Sequence, residues 1–361
     1  MSLMKNRGLA LIAFLFATTL ISQAQTTVIP LWPHGTPEPP QTTAPEIDTT
    51  KPTDALFNGK RSQRLTNVSV PTLSVYSPPP ARDTHVAALV FPGGGYVRLA
   101  WEGEGVNTCD WLTHIGVTCL LVKYRVPQPE GEAGHYPATS ADLEDAQQAM
   151  RLARAHAAEW HINPERIGVI GYSAGGNLAV LLSTHPDDVH VLSTPAAPDV
   201  PTINGAPRSA KPDFAILGYP AYLALKPGET ELNPVYAPNQ FTPPTFLIQA
   251  ENDKGYGHNA LVYYRALMDA KIPAELHYFA TGGHGFGVDP PNTPEAHWTH
   301  LATFWMHTTG ILPSEPPQPH SANGAPGTPP TQPCTMDAQQ PPPAGRPVKP
   351  NPNNTDNPCP Q

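Results

Sequence analysis

The stretch that decides the fold runs from Arg166 to Leu182 and reads RIGVIGYSAGGNLAVLL. Ile167 to Ile170 is a short apolar run that favours a buried strand, and a helical pattern follows Gly176 directly. Between them lies G-x-S-x-G, with Ser173 at its centre. A strand, a sharp turn and a helix would leave the serine hydroxyl exposed at a strand end. The pattern predicts a nucleophile, but a glycine-rich turn with an incidental serine also fits these five residues.

A second glycine-rich turn, Pro92 to Tyr96, follows the apolar run Val86 to Phe91, which fits a strand buried on both faces. Consecutive glycines leave backbone amides unshielded by Cβ atoms, so Gly94 and Gly95 could donate hydrogen bonds to a nearby anion. A phosphate loop is the alternative, but no Gly-Lys-Ser/Thr follows. The amide of Ala174, at the start of the predicted helix, is a third candidate donor to an oxyanion.

An acid and a base follow later predicted strands. The run Thr245 to Ala250 is followed by Glu251 and Asp253, and a further strand is followed by a glycine-rich turn around His284. An alcohol can attack a carbonyl, an imidazole can take and return its proton, and a carboxylate holds the imidazole in one tautomer. We predict Asp253 as the acid because it lies just beyond the strand. Glu251 could also point into the site, and taken singly Asp253 suits a turn and His284 a loop.

Strands and helices alternate through the core, which predicts a mostly parallel eight-stranded sheet with helices on both faces. In this count Ser173 follows the fifth strand, Asp253 the seventh and His284 the eighth. The segment before Arg64 is rich in Pro and Thr and is predicted to be an extended arm. The predicted strands are 64–70, 72–77, 86–91, 117–122, 167–170, 213–218, 245–250 and 274–280. Helices are predicted over 105–115, 258–270 and 293–308, among others, and a loop over 221–241.

Both ends of the chain differ from its centre. Lys5 and Arg7 precede an apolar run that ends near Ala24, which predicts a signal peptide over 1–24 and a secreted or periplasmic protein. From 313 to 361, 16 of 49 residues are proline, so this segment is predicted to be a disordered tail. We expect a cut after about Ile311 to be tolerated. The catalytic domain with its arm is then 25–312, with no membrane span after signal cleavage.

Composition excludes several functions. The net charge of −9 without a basic cluster argues against nucleic acid as a partner. The 15 histidines lack the spacing of a zinc site, so we predict no metal. Cys109 and Cys119 are interpreted as buried free thiols, although export would permit a disulfide, and Cys334 and Cys359 could pair in the tail.

Six motifs carry a resemblance to a known family. They are Leu31-Trp32-Pro33, Phe91-Pro92-Gly93-Gly94-Gly95-Tyr96, Lys123-Tyr124-Arg125, Leu143-Glu144-Asp145-Ala146, Gly171-Tyr172-Ser173-Ala174-Gly175-Gly176 and Gly283-His284-Gly285-Phe286-Gly287. From about Leu31 to Thr308 the chain resembles the carbohydrate-esterase-like branch of the α/β-hydrolase superfamily, which contains acetylxylan esterases and feruloyl-esterase-like proteins. The resemblance implies a triad of Ser173, Asp253 and His284, with the amides of Gly94, Gly95 and Ala174 facing an oxyanion. The chain departs from many relatives in having proline before the glycines and no Val-Pro after the acid.

Together these observations predict a serine esterase that works through an acyl-enzyme, without a cofactor, on short acyl esters of a carbohydrate such as acetylated xylan. Tyr96, beside the glycines, could stack on a sugar ring or pack in the core. One alternative is a peptidase of the prolyl-oligopeptidase type, although the segment before the first predicted strand is too short for a propeller. A non-catalytic glycan-binding protein is another. The oligomeric state stays open.

Overall fold

The computed structural model describes residues 27–314, apart from 40–41, 55, 58–59, 128–140, 188–189, 195, 227–229 and 289–292. The predicted signal peptide and the predicted tail from 315 onward, with Cys334 and Cys359, lie outside the described residues. Everything described belongs to the first of two units into which the chain divides, Met1–Ser314 and Glu315–Gln361.

An eight-stranded sheet forms the centre of this unit. Its strands are β1 (Thr27–Pro30), β2 (Thr72–Tyr76), β3 (Val86–Phe91), β4 (Val117–Lys123), β5 (Ile167–Tyr172), β6 (Ala215–Gly218), β7 (Thr245–Ala250) and β8 (Ala274–Phe279). They lie in the order β1-β2-β4-β3-β5-β6-β7-β8. Only β2 runs against its two neighbours, and the other pairs are parallel. The predicted α/β architecture, with a mostly parallel eight-stranded sheet, is confirmed.

Helices cover both faces of the sheet. They are α1 (Asn107–His114), α2 (Ala141–Ala155), α3 (Ala174–Thr184), α4 (Asn259–Asp269) and α5 (Trp298–Thr308). Alternate residues of β3 enter two separate apolar cores, because successive side chains of a strand point to opposite faces. Leu89 packs with residues of α2, α3 and α4, whereas Val90 packs with residues of α1 and α5. The catalytic candidates therefore sit on a scaffold that is buried on both sides.

The first strand differs from the prediction. Of the predicted strand 64–70, only Leu65–Thr66 is a strand, and it pairs with Ile47–Asp48 outside the main sheet. The true first strand is Thr27–Pro30, in the segment predicted to be only an extended arm. Three of its four residues are exposed, so its sequence lacks the apolar signal of a buried strand. The sheet still has eight strands, because Thr27–Pro30 takes the place of the predicted strand 64–70.

The predicted helix 105–115 also begins differently. A π-helical segment, Trp101–Val106, comes first, and the α-helix starts at Asn107. Cys109 of α1 and Cys119 of β4 form a disulfide, so the interpretation as free thiols is wrong. Both cysteines are buried on the same face of the sheet, which brings the helix and the strand within bonding reach.

Three of the sequence motifs meet in one buried polar cluster. The Trp32 indole donates a hydrogen bond of 2.8 Å to Asp145 Oδ1, and Arg125 forms an ion pair with the same carboxylate at 2.9 Å. The amide of Arg125 also donates to Asp145 Oδ2 at 2.9 Å. A buried charge needs such partners, so this cluster fixes the start of the domain to the end of β4 and to α2.

The chain stays ordered past the last helix. Leu312 is 1% exposed, packs in the core beneath α5, and its amide donates to the carbonyl of Met306 at 2.9 Å. The expectation that a cut after about Ile311 would be harmless is therefore wrong, because it removes a core side chain. Within the described part of the chain, no helix has the length and apolar character needed to cross a membrane.

Candidate active site

Ser173 stands on a strained turn between β5 and α3. Its φ of 52° and ψ of −118° lie where L-residues are rarely found, and such strain gathers at functional sites. The turn is tight: a Cβ on Gly171 would lie 2.1 Å from the carbonyl oxygen of Gly175, and one on Gly175 would lie 2.1 Å from that of Phe91. Only glycine fits at both positions, which explains the G-x-S-x-G spacing.

The three predicted side chains form one hydrogen-bonded line. Ser173 Oγ lies 2.7 Å from His284 Nε2, and His284 Nδ1 lies 2.6 Å from Asp253 Oδ2. Each residue follows the carboxyl end of a different parallel strand, β5, β7 or β8, and these ends meet at one edge of the sheet. With Nδ1 protonated, Nε2 is free to accept the serine proton. The geometry is that of a nucleophile, a base and an orienting acid.

Asp253 is held as a carboxylate. Burial acts to raise its pKa, but the hydrogen bond and charge of His284, the amide of Tyr256 and the side chain of Gln249 together hold the pKa below its ordinary value. Glu251 is exposed. Of the two carboxylates considered from sequence, the structure therefore brings Asp253 to the histidine.

The predicted oxyanion donors lie beside the nucleophile. Gly94 and Gly95 line the same cleft as Ser173 and His284, and among the described residues their amides have no acceptor. Ala174 is the first residue of α3, where amides have no acceptor within the helix. The neighbouring amide of Gly93 is not available, because it donates to Glu104.

Glu104 is a buried carboxyl that the sequence reasoning missed. Its Oε2 accepts the amide of Gly93 at 2.6 Å, and its Oε1 accepts the hydroxyl of Tyr219 at 2.9 Å. Tyr219 in turn accepts the amide of Gly287 at 3.0 Å, and its ring contacts the His284 ring. Glu104 thus joins the glycine turn to the histidine loop. Burial raises the pKa of Glu104, although the two hydrogen bonds it accepts oppose that shift.

No local sequence pattern predicts the role of Glu104. It lies in the π-helical segment Trp101–Val106, and its side chain is buried. Its partners are the Gly93 amide, 11 residues earlier, and the hydroxyl of Tyr219, which follows β6 and lies 115 residues later. π-helical turns are frequent at functional sites, but this turn is visible only in the structure.

Tyr96 does not face the cleft. It is 1% exposed, and its hydroxyl donates to Asn177 Oδ1 at 2.7 Å, so of the two alternatives, stacking on a sugar and packing in the core, the structure shows core packing. The aromatic rings that do line the cleft are Tyr222 and Tyr256. The Tyr256 ring lies 4.9 Å from the His284 ring. Tyr222 lies between Tyr96 and Tyr256, so the buried ring supports the two that reach the surface.

The cleft above these residues has a volume of about 510 Å³. Its wall includes Ser62 and Arg64 from the N-terminal arm and Arg98 from the segment after the glycines. No group of three His, Cys, Asp or Glu side chains suited to a metal ion occurs in the part of the chain that the structure describes.

Comparisons with known proteins agree with this geometry. A family model described as the alpha/beta hydrolase fold matches residues 88–288. An acetylxylan esterase from Xylanibacter ruminicola is 28% identical over 56% of this chain and 41% of that protein. Endo-1,4-beta-xylanase B from Butyrivibrio fibrisolvens is 28% identical over 55% of this chain and 32% of its own length. This chain thus spans less than half of either relative.

A solved structure extends the likeness over the whole fold. The acetyl ester-xyloside bifunctional hydrolase from Caldicellulosiruptor lactoaceticus is 30% identical, with a TM-score of 0.58, covering 82% of this chain and 100% of that one. The matched family region contains the strained serine, the acid and the histidine. This chain belongs to the α/β-hydrolase family.

Proposed function

We propose that this protein is a secreted or periplasmic serine esterase that removes short acyl groups, acetyl above all, from xylan or a similar carbohydrate. The observation that carries the proposal is the line from Ser173 through His284 to Asp253 at the open edge of the sheet. The names of the relatives support the substrate class, since they refer to an acetylxylan esterase and an acetyl ester-xyloside hydrolase.

In the proposed reaction, Ser173 Oγ attacks the ester carbonyl carbon while His284 takes the hydroxyl proton. The carbonyl oxygen becomes an oxyanion, which the amides of Gly94, Gly95 and Ala174 would stabilise by donating hydrogen bonds. The bond from carbon to the sugar oxygen then breaks, His284 returns the proton to that oxygen, and an acyl-serine remains. Water, losing a proton to His284, attacks the acyl-serine; the bond from carbon to Ser173 Oγ then breaks, His284 returns the proton to Oγ, and the acid is released.

The region above the cleft favours a short acyl group. Between β6 and β7 the described residues form no α-helix, and the one regular element there is the turn Pro234–Tyr236. A long acyl chain would need an apolar groove, since each methylene gains roughly 0.8 kcal/mol from burial. The cleft wall instead combines Tyr222 and Tyr256 with the charged residues Arg64, Arg98 and Glu104.

The nucleophile can be tested directly. A fluorophosphonate probe should label the wild-type protein and fail to label Ser173→Ala. Ser183→Ala is the matched control, because Ser183 lies on the same helix and only donates to the carbonyl of Ala179. Labelling of Ser173→Ala, or equal ester turnover by it, would remove the nucleophile from the proposal.

Acyl and alcohol preferences are tested separately. We expect kcat/KM for 4-nitrophenyl acetate at least about tenfold above that for the octanoate ester, and release of acetate from acetylated xylo-oligosaccharides. Better turnover of the octanoate contradicts the short-acyl assignment. Cleavage of a prolyl peptide amide without release of acetate would instead indicate a peptidase.

A further inference from the structure

A second cavity of about 490 Å³ lies beside the cleft that contains Ser173. Arg64 and Arg98 line both cavities, so a ligand longer than one ester group can extend from the first into the second. The second cavity is formed by the N-terminal arm, around Thr49 to Asp54, and by the segment after the glycine turn.

We infer that this second cavity binds a carboxylate carried by the carbohydrate, namely a uronic acid residue near the acylated sugar. The inference deepens the proposed function and rests on it for the sugar that bears the acid. Its independent support is the excess of positive charge in the second cavity, which lies within reach of the substrate chain.

Three cations surround one carboxylate in this cavity. Asp54 pairs with Arg64 at 3.0 Å. The amide of Lys51 lowers the pKa of Asp54 most, and the positive charges of Arg64, Lys51 and Arg98 act in the same direction. Asp48, whose Oδ1 accepts the amide of Arg64 at 3.4 Å, lies beside the cavity, but among the side chains that line it three cations and one carboxylate leave an excess of positive charge.

Two of these cations are free to take a ligand. Arg98 and Lys51 are exposed, and neither side chain has a hydrogen bond or ion pair among the residues that the structure describes. An arginine fork matches the two oxygens of a carboxylate, and an unpaired arginine can bind it in a bidentate manner. Because the chain as a whole carries a net charge of −9, this patch differs in sign from the molecule.

The remaining wall suits a sugar ring. Val97 is 57% exposed and offers an apolar contact for ring C–H groups. The hydroxyls of Thr49 and Thr66 already donate to the carbonyls of Arg64 and Val97, which leaves their lone pairs to accept from sugar hydroxyls.

The acid belongs to the sugar chain because of where the cavity lies. The second cavity is lined by neither Ser173 nor His284, and by no glycine of the oxyanion turn. An acyl group undergoing attack occupies the first cavity, beside the serine. A carboxylate in the second cavity is therefore carried by the part of the substrate that leaves as an alcohol.

Calorimetric binding to xylotetraose with and without a glucuronic acid branch tests the inference without using an ester. At low salt the wild-type protein should bind the acidic oligosaccharide about three- to tenfold more tightly than the neutral one. This ratio should fall towards one in about 0.5 M NaCl, which screens exposed charges. It should also fall in Arg98→Gln and be partly kept in Arg98→Lys. Arg265→Gln, which removes an exposed arginine on α4, is the matched control and should keep the ratio.

Equal affinity for the two oligosaccharides in the wild type, or a ratio that Arg98→Gln leaves unchanged, overturns the inference. The inference is also overturned if Arg98→Gln affects only an ester whose acyl group carries the carboxylate, such as a 4-nitrophenyl hemiglutarate. Because binding is measured without turnover, a protein that prefers the acidic oligosaccharide but releases no acetate would refute the proposed function and retain this site.

Discussion

At Asp253, burial and hydrogen bonding act on one carboxylate in opposite directions, and the hydrogen bonds prevail. Asp253→Asn should lower kcat by about 10³- to 10⁴-fold, because the imidazole loses the partner that fixes its tautomer. Steady-state hydrolysis of 4-nitrophenyl acetate measures this. Glu251→Gln changes an exposed carboxylate two residues away and should leave kcat within about twofold. The reverse result would transfer the role of the acid to Glu251.

The same carboxylate should affect stability at low pH. Its pKa is lower in the folded protein than in the unfolded chain, where it is about 3.9. Ionised Asp253 therefore stabilises the fold above that value, and the contribution is lost as the pH falls through the lowered folded pKa. The Tm advantage of the wild type over Asp253→Asn should be constant between pH values of about 6 and 5 and should shrink below a pH of about 4. An advantage that stays constant would show that the pair does not titrate with folding.

Glu104 is expected to act by positioning the glycine turn. In Glu104→Gln the carboxamide keeps its shape but presents an NH₂ group to one of two donors, the Gly93 amide or the Tyr219 hydroxyl. We expect kcat to fall by about tenfold with KM little changed, since the affected amides act on the transition state. Tyr219→Phe should have a similar effect, and the double variant should lose less than the sum of the two free-energy changes. Additive losses would separate Glu104 from the Tyr219 network.

At the scale of elements, the disulfide between α1 and β4 is the clearest stabilising device. The two cysteines are separated by 10 positions in the sequence. Closing a loop of this length should contribute about 2 to 3 kcal/mol to the free energy of unfolding. Denaturant unfolding with and without reductant measures this for the wild type. The double variant Cys109→Ala, Cys119→Ala should be insensitive to reductant. A wild type that unfolds identically in both conditions, with two thiols released, would contradict the prediction.

Elements with a local signal were predictable from the sequence. β3 is a continuous apolar run and β7 has the apolar centre Phe246-Leu247-Ile248, and both are buried strands in the structure. β1 has no such signal, because Thr27–Pro30 is an edge strand whose pairing comes from β2. The serine, the acid and the histidine were predictable because chain order and strand order together restrict where they can meet. Glu104 and the burial of Tyr96 were not, since each depends on partners far away in sequence.

At the scale of the whole molecule, the end of the catalytic unit can be located by truncation. A chain ending at Ser314 retains Leu312 and should unfold within about 0.5 kcal/mol of the full-length protein. A chain ending at Ile311 lacks that core side chain and should be less stable by about 2 to 5 kcal/mol. Denaturant titration of both chains gives the comparison. Equal loss in both would mean that residues after 314 stabilise the domain.

The N-terminal arm forms the outer wall of the cleft. It is a stretch of chain separate from the three catalytic candidates, Ser173, Asp253 and His284. Ile47–Asp48 is fastened by backbone pairing to Leu65–Thr66, and the catalytic candidates stand on loops after β5, β7 and β8. The arm and the three catalytic candidates are therefore encoded in separate parts of the gene. An exchange of the arm between relatives would change the cleft wall and leave the three catalytic candidates unchanged. Grafting residues 44–54 from a relative onto this chain measures how far the two parts are independent.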